Sequence, residues 1–187
     1  MASADPLKRV RLHDKAFVPF LTHEDIYERV KQLGQELHHR LAGSQPTYLI
    51  MLKGAFIFAA DLIRHSRLNG EVDFVRTSSY HGTETEGKIR MHLAPSPELI
   101  TGKDVVLIED IVDSGYTMQA FLPELEALNP KSITLVTLLH KPEAQVVPVN
   151  IDLVGFVIPP HFVVGYGLDY NGLGRQLPAI YQLAQDF

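Results

Sequence analysis

VVLIEDIVDSGYTM, residues 105–118, holds the decision about the fold. Val105 to Ile108 are four aliphatic residues without alternation, the pattern of a strand buried on both faces of a parallel sheet. Glu109, Asp110 and Asp113 then crowd three carboxylates into five residues at the strand's carboxyl end. Neighbouring carboxylates repel and raise one another's pKa unless a cation, ligand hydroxyls or solvent compensates them. Ser114-Gly115-Tyr116-Thr117 follows, after which Met118, Phe121, Leu122, Leu125 and Leu128 mark one face of a helix. A glycine-containing turn feeding a helix presents backbone N–H groups and a positive dipole end, which suit a phosphate. In chain order the stretch reads as an acidic pair for hydroxyls and a metal ion, a third carboxylate, and a monophosphate cradle.

Working outward, the same strand-turn-helix unit recurs. Tyr48 to Leu52 is a short apolar run ended by Lys53-Gly54, and Phe56, Ala59, Ala60, Leu62 and Ile63 predict a helix. Val72–Val75, Ile133–Leu139, Asp152–Ile158 and Phe162–Val164 supply further strands, the last two separated by Pro159-Pro160. Thr22 with Asp25 predicts a capping box, and Ile26, Val30, Leu33, Leu37 and Leu41 a helix stopped at Gly43. The adjacent His38 and His39 lie about 100° apart on that helix, which favours a solvated helix end over a metal site. Residues 1–20 predict an irregular arm ending in at most a short strand. His81 to Lys88, polar and bounded by glycine, predicts a loop. Alternating strands and helices imply an α/β fold with a mostly parallel central sheet flanked by helices and ligands at the strands' carboxyl ends.

Composition limits what such a fold can do. With 187 residues, 45% of them hydrophobic, one domain with a sizeable core fits and a second full domain does not. The net charge of -5, without a basic run, argues against nucleic acid or an anionic membrane as partner. No cysteine is present, which excludes disulfides and thiol chemistry. The start, MASADPLKRVRL, lacks the apolar core of a signal peptide, and the uncharged stretch Leu153–Leu168 is too short and too broken to span a bilayer. A cytoplasmic location is the expectation.

The 105–118 stretch resembles the ribose-phosphate signature of type I phosphoribosyltransferases: a hydrophobic strand, an acidic pair, then D-[ST]-G-x-T. Leu52-Lys53-Gly54, Ser79-Tyr80, Leu138-Leu139-His140-Lys141 and Phe162-Val163-Val164-Gly165-Tyr166 through Asp169-Tyr170-Asn171 to Arg175 are similar, in order and spacing, to the hypoxanthine-guanine members. The match runs from about Tyr48 to Leu177. It implies a type I core over about 22–158, with a small hood from the N-terminal arm and about 159–187, in one domain spanning 1–187. It implies transfer of phosphoribose from 5-phosphoribosyl 1-diphosphate to N9 of hypoxanthine or guanine, with Mg2+, by a homodimer or homotetramer.

Roles carried over by the resemblance fall on particular residues. Glu109 and Asp110 would hold the ribose hydroxyls and help place magnesium, although an acidic pair after a strand, taken alone, is a solvated loop. Asp113 would exchange a proton with the purine imidazole; by itself it reads equally as a helix N-cap. Ser114, Gly115, Tyr116 and Thr117 would hold the 5-phosphate, and Lys53, Gly54 and Arg175 the pyrophosphate, in a loop whose lysine-glycine peptide can be cis in the family. Asp169 would hold a magnesium on the pyrophosphate and stand among the purine-binding residues, its plain alternative being a turn residue. Lys141 would donate to the purine 6-oxo group and N7, Phe162 would stack on the base, and the Val163 main chain would read its edge. Ser79, Tyr80 and the following loop would form a lid. Gly172-Leu173-Gly174 departs from the pattern and predicts a loosened grip by Arg175. Two rivals share the fold: a xanthine-preferring enzyme, and a nucleic-acid-binding regulator that keeps the sugar-phosphate loop as a sensor.

Overall fold

The computed structural model describes residues 8–79 and 89–184. Its elements in chain order are β1 (Val10–Leu12), β2 (Lys15–Leu21), α1 (His23–Arg40), β3 (Thr47–Leu52), α2 (Phe56–Ser66), β4 (Glu71–Ser79), β5 (Ile89–Leu93), α3 (Pro97–Ile100), β6 (Asp104–Val112), α4 (Tyr116–Glu126), β7 (Ser132–His140), β8 (Leu153–Val157), β9 (Val163–Val164) and β10 (Ile180–Leu183). Six strands form a sheet in the order β5-β4-β3-β6-β7-β8, parallel except for the β4–β5 edge pair. β6 is one of its two central strands, so Val105–Val112 run through the middle of the sheet.

Alternation along β6 builds a core on each face, because successive side chains of a strand point to opposite sides. Val106 and Ile108 join Tyr48, Ile50, Val136 and the apolar stripes of α1 and α2. Val105 and Leu107 join Leu49, Met51, Leu135 and Met118, Phe121 and Leu125 of α4. The alternation breaks at the carboxyl end, where Ile111 packs with the first cluster and Val112 with the second. Glu109 and Asp110 occupy that break, inside the strand. The expectation that the strand stops at Ile108 is thus corrected: β7 continues to pair with β6 as far as Val112↔His140.

α1 begins as the residue pattern requires. The Thr22 side chain accepts from the Asp25 N–H at 3.1 Å and the Asp25 carboxylate accepts from the Thr22 N–H, which together satisfy two otherwise orphaned donors. At its other end His38 is not solvent-facing alone: its Nδ1 lies 2.8 Å from the Ser66 carbonyl at the end of α2.

The arm differs from its expectation. Residues 10–21 form an antiparallel hairpin, β1–β2, that pairs with β10, which in turn pairs with β9, making a second four-stranded sheet from the two ends of the chain. β5, α3 and β10 have no counterpart in the sequence reading. Each is five residues or fewer and too short to show a period. Among the described residues no helix is long and apolar enough to cross a membrane.

Candidate active site

β6 and β3 deliver their carboxyl ends to the same place, and the side chains there are packed against absent ones. An ideal Cβ on Gly54, just after β3, would lie 1.3 Å from Asp110 Oδ2, so the Asp110 carboxylate occupies the space that any other residue at 54 would fill. Asp110 Oδ1 also accepts from the Ile111 N–H at 2.7 Å. Both acidic side chains are half-buried. Loss of surrounding water raises the Asp110 carboxyl to about 6, partly offset by backbone N–H groups and by Arg175. The same desolvation, with the Asp110 charge beside it, pushes Glu109 well above the ordinary carboxylate range. Among the described residues no hydrogen bond or ion pair engages the Glu109 side chain, although its backbone pairs with Thr137.

The turn after β6 is held from outside. The Ser114 carbonyl accepts from the N–H groups of Val146 and Val147 at 3.0 and 3.1 Å. Gly115 is the N-cap of α4, with φ +88° and no side-chain cap, and its missing Cβ would meet the Val147 carbonyl at 2.5 Å. Glycine is required there twice over, by a positive φ and by close approach. Asp113 therefore does not cap the helix. It meets Lys141 instead: Lys141 Nζ donates to Asp113 Oδ2 at 2.8 Å, with the lysine side chain 8% exposed and the aspartate 48%. β7 places Lys141 by ending one residue earlier, and the Lys141 N–H donates to the Val112 carbonyl at 3.0 Å.

A third segment comes from the far end of the chain. Arg175 donates through Nη1 to the Gly167 carbonyl at 2.6 Å and pairs through Nη2 with Asp169 at 2.5 Å. Asp169 also accepts the Gly172 N–H at 2.7 Å, so it is both the turn residue and the partner of the arginine. The expected looseness of Gly172-Leu173-Gly174 gives way to a tight hairpin turn, in which Tyr170 and Leu173 exchange backbone hydrogen bonds at 2.9 and 3.1 Å around Asn171 and Gly172, both at positive φ. Asn-Gly is the sequence that such a turn favours.

Lys53 is exposed at the start of this corner. The cis peptide bond is Leu52–Lys53, one bond before the lysine-glycine peptide expected from sequence. Phe162 and Val163 stand on the hood side, Phe162 46% exposed and Val163 buried and paired with Gln182. Phe162 is edge-on to Tyr170 with ring centroids 5.8 Å apart, and Lys15 Nζ lies 6.0 Å from its centroid. Sequence reading missed Lys15 because nothing in residues 1–20 signals which strand face it joins. The Ser79 backbone pairs with Ile89 at the end of β4, whereas Tyr80 and His81 to Lys88, the rest of the expected lid, lie outside the described residues.

The donor set bears on a metal. Glu109 and Asp110 offer hard oxygen ligands in partly desolvated surroundings, which fits a hard divalent cation that takes one or two protein carboxylates and completes its shell with water and ligand oxygens. Among the described residues no three ligating side chains cluster tightly enough to hold an ion alone. Asp169 is already engaged by Arg175 and Gly172.

Residues 20–171 match the model of the phosphoribosyl transferase domain. The chain belongs to the phosphoribosyltransferase family. Within it, this phosphoribosyltransferase is 40% identical over 163 residues to the hypoxanthine phosphoribosyltransferase of Buchnera aphidicola, covering 86% of this chain and 92% of that one. It is 40% identical over 169 residues to the hypoxanthine-guanine phosphoribosyltransferase of Lactococcus lactis, covering 89% and 91%. The crystal structure of a hypoxanthine phosphoribosyltransferase from Staphylococcus aureus superposes with a TM-score of 0.84 at 39% identity, covering 89% of this chain and 90% of that one. The type I fold expected from residues 105–118 is thus the fold of this phosphoribosyltransferase.

Proposed function

We propose that the chain, acting as one domain, transfers phosphoribose from 5-phosphoribosyl 1-diphosphate to N9 of hypoxanthine or guanine, a purine-salvage reaction giving IMP or GMP and pyrophosphate. The observation that carries this reading is the Lys141–Asp113 pair at 2.8 Å, directly beside the Ser114–Thr117 turn. It sets a buried ammonium and a carboxylate, the two groups that a 6-oxo group and an imidazole N–H require, next to a phosphate-type helix start. The similarity to enzymes named for these bases supports it further.

Each group then has one task. Ser114, Gly115, Tyr116 and Thr117 bind the 5-phosphate through the uncapped first turn of α4. Glu109 and Asp110 take the ribose hydroxyls and would hold Mg2+, whose charge would balance the two carboxylates. When bound, magnesium stabilises the charge developing on the leaving pyrophosphate as a Lewis acid. Lys53, Gly54 and Arg175 take the pyrophosphate oxygens, the planar guanidinium suiting two at once. Asp169 orients Arg175 and would offer a carboxylate to a magnesium ion on the pyrophosphate. As the bond from C1 to pyrophosphate breaks and the C1–N9 bond forms, Asp113 exchanges the proton at N7. Phe162 stacks on the base, the Val163 main chain reads its edge, and Ser79 with Tyr80 belongs to a lid that keeps water from the exposed C1. The working form is a cytoplasmic homodimer or homotetramer.

Measuring pyrophosphate release with 5-phosphoribosyl 1-diphosphate, magnesium and, separately, hypoxanthine, guanine, xanthine and adenine tests the proposal. Turnover with hypoxanthine or guanine is the expected result. Turnover with adenine alone would overturn the role given to Lys141.

A further inference from the structure

Tyr166 occupies backbone that a bulky residue avoids. It is the first central residue of a two-residue turn in which Gly165 and Leu168 exchange both backbone hydrogen bonds at 3.0 Å, and its φ is +48°, followed by Gly167 at +104°. Asparagine or glycine is preferred at that place, and this chain uses Asn171 at the equivalent place of the next turn. Left-handed backbone at a large side chain persists only where the surroundings over-determine it. Here the ring is buried, 4% exposed, and its hydroxyl donates to Asp61 Oδ2 on α2 at 2.5 Å. Asp61 is itself paired with Arg64. Burial, and after it the Asp61 carboxylate, push the phenol's pKa up, so the hydroxyl stays protonated and remains the donor.

The strained turn touches both halves of the phosphate-leaving end of the site. A Cβ on Gly167 would meet the Gly54 carbonyl oxygen at 2.1 Å, so the turn lies directly on the Lys53-Gly54 loop. Gly167 also donates its N–H to the Arg175 carbonyl at 3.0 Å and accepts from Arg175 Nη1 at 2.6 Å. One peptide unit thus separates Gly54 from Arg175. α2 starts two residues after Gly54 and carries Asp61 in its second turn, so the Tyr166–Asp61 bond ties that unit to the helix that the Lys53-Gly54 loop leads into.

We propose that Tyr166 is a positioning residue for the pyrophosphate subsite: bonded to Asp61, it presses the Gly165–Leu168 turn onto Gly54 and so fixes the spacing between Lys53 and Arg175. This rests on the assignment of Lys53 and Arg175 to pyrophosphate. Lys141 and Phe162 share no hydrogen bond with Tyr166, Asp61 or Gly167, which separates a loss at the pyrophosphate end from one at the base.

Initial rates of full-length Tyr166→Phe, with 5-phosphoribosyl 1-diphosphate and hypoxanthine varied in turn, and of the reverse reaction with pyrophosphate varied, provide the test. The KM for 5-phosphoribosyl 1-diphosphate and that for pyrophosphate should each rise about tenfold, as expected for loss of one hydrogen bond to a charged group, while the KM for hypoxanthine stays within twofold. Asp61→Ala should reproduce the pattern, Asp61→Asn, which keeps an acceptor, should recover most of it, and Tyr166→Phe with Asp61→Ala should be no worse than either alone. If Tyr166→Phe does not fold, the two Asp61 variants carry the same comparison. Unchanged KM values with only a lower melting temperature, or equal loss toward the base, would overturn the inference. Wild-type protein without saturable dependence on 5-phosphoribosyl 1-diphosphate would instead overturn the function on which it rests.

Discussion

Asp113 and Lys141 share one ion pair, so removing either changes the electrostatics of the other. Asp113→Asn keeps the shape and an acceptor for Lys141 while abolishing the proposed proton exchange with the purine. General acid-base help is worth about 10²- to 10⁴-fold. We therefore expect kcat to fall at least tenfold, with both KM values changed less than threefold, in initial-rate measurements. An unchanged kcat would remove Asp113 from the chemistry. Lys141→Ala removes the donor proposed to distinguish a 6-oxo group from a 6-amino group and leaves the Asp113 charge without its Lys141 partner. Its kcat/KM for hypoxanthine and guanine should drop at least about 10²-fold, with no adenine turnover gained in the same assay. Glu109 and Asp110 make the opposite case, in which burial of two carboxylates costs the folded state stability. The Asp110 carboxyl is raised from 3.8 to about 6, so folding is favoured by its protonation. Its contribution to stability is greatest below about pH 4 and is lost as pH rises through about 6. Asp110→Asn should thus melt higher than wild type at pH 7.5 without ligands, by on the order of 1 kcal/mol or more, and the gap should close near pH 4. Equal melting temperatures at both pH values would show that desolvation at this corner costs nothing.

At the scale of elements, the start of α4 depends on a contact that residue type alone conceals. Gly115 is at φ +88°, and its Cα faces the Val147 carbonyl. Gly115→Ala would bring a Cβ to 2.5 Å from that oxygen, which is backbone and cannot swing aside. Strained backbone of this kind costs about 1–3 kcal/mol, and relief requires the first turn of α4 to move. Its melting temperature should therefore fall by several degrees and the KM for 5-phosphoribosyl 1-diphosphate should rise at least tenfold in initial-rate measurements. A stable variant with a normal KM would show that the turn does not hold the phosphate. The loop before α2 is built on the same principle, with Asp110 filling the place of a Gly54 side chain. Neither contact is visible from a motif, which records that glycine is present but not what stands against it.

Across the whole molecule, two sheets divide the labour. The mostly parallel sheet carries the acidic pair within β6 and sets the Ser114–Thr117 turn and Lys141 just beyond the ends of β6 and β7, while the second sheet, made from both ends of the chain, carries Val163 with Phe162 beside it. The hairpin of β1 and β2 also reaches the loop that bears Arg175: Tyr170 donates to Asp14 at 2.8 Å, and His13 lies 3.2 Å from the Asn171 carbonyl. Deleting residues 1–14 should accordingly raise the KM for 5-phosphoribosyl 1-diphosphate more than that for the base, in the same initial-rate experiment. An unchanged ratio of the two KM values would make the arm dispensable to that loop.

What the linear chain determined by itself was the parallel core and its central corner. An aliphatic run followed by carboxylates and a glycine turn has few other ways to bury its strand and open a helix, and Lys53-Gly54 and Lys141 lie at the ends of equally plain apolar runs. The limits of those elements were less legible: carboxylates within β6 look like a strand end because sequence does not show that β7 runs on beside them. Only the tertiary structure decided which residues meet. The pairing of Asp113 with Lys141, the engagement of Asp169 by Arg175, the joining of residues 10–21 to 180–183 and the strained seat of Tyr166 all link positions distant in sequence or fixed by packing. Periodicity reports which side of an element is apolar, whereas the partner across the gap is chosen by the packing of the whole chain.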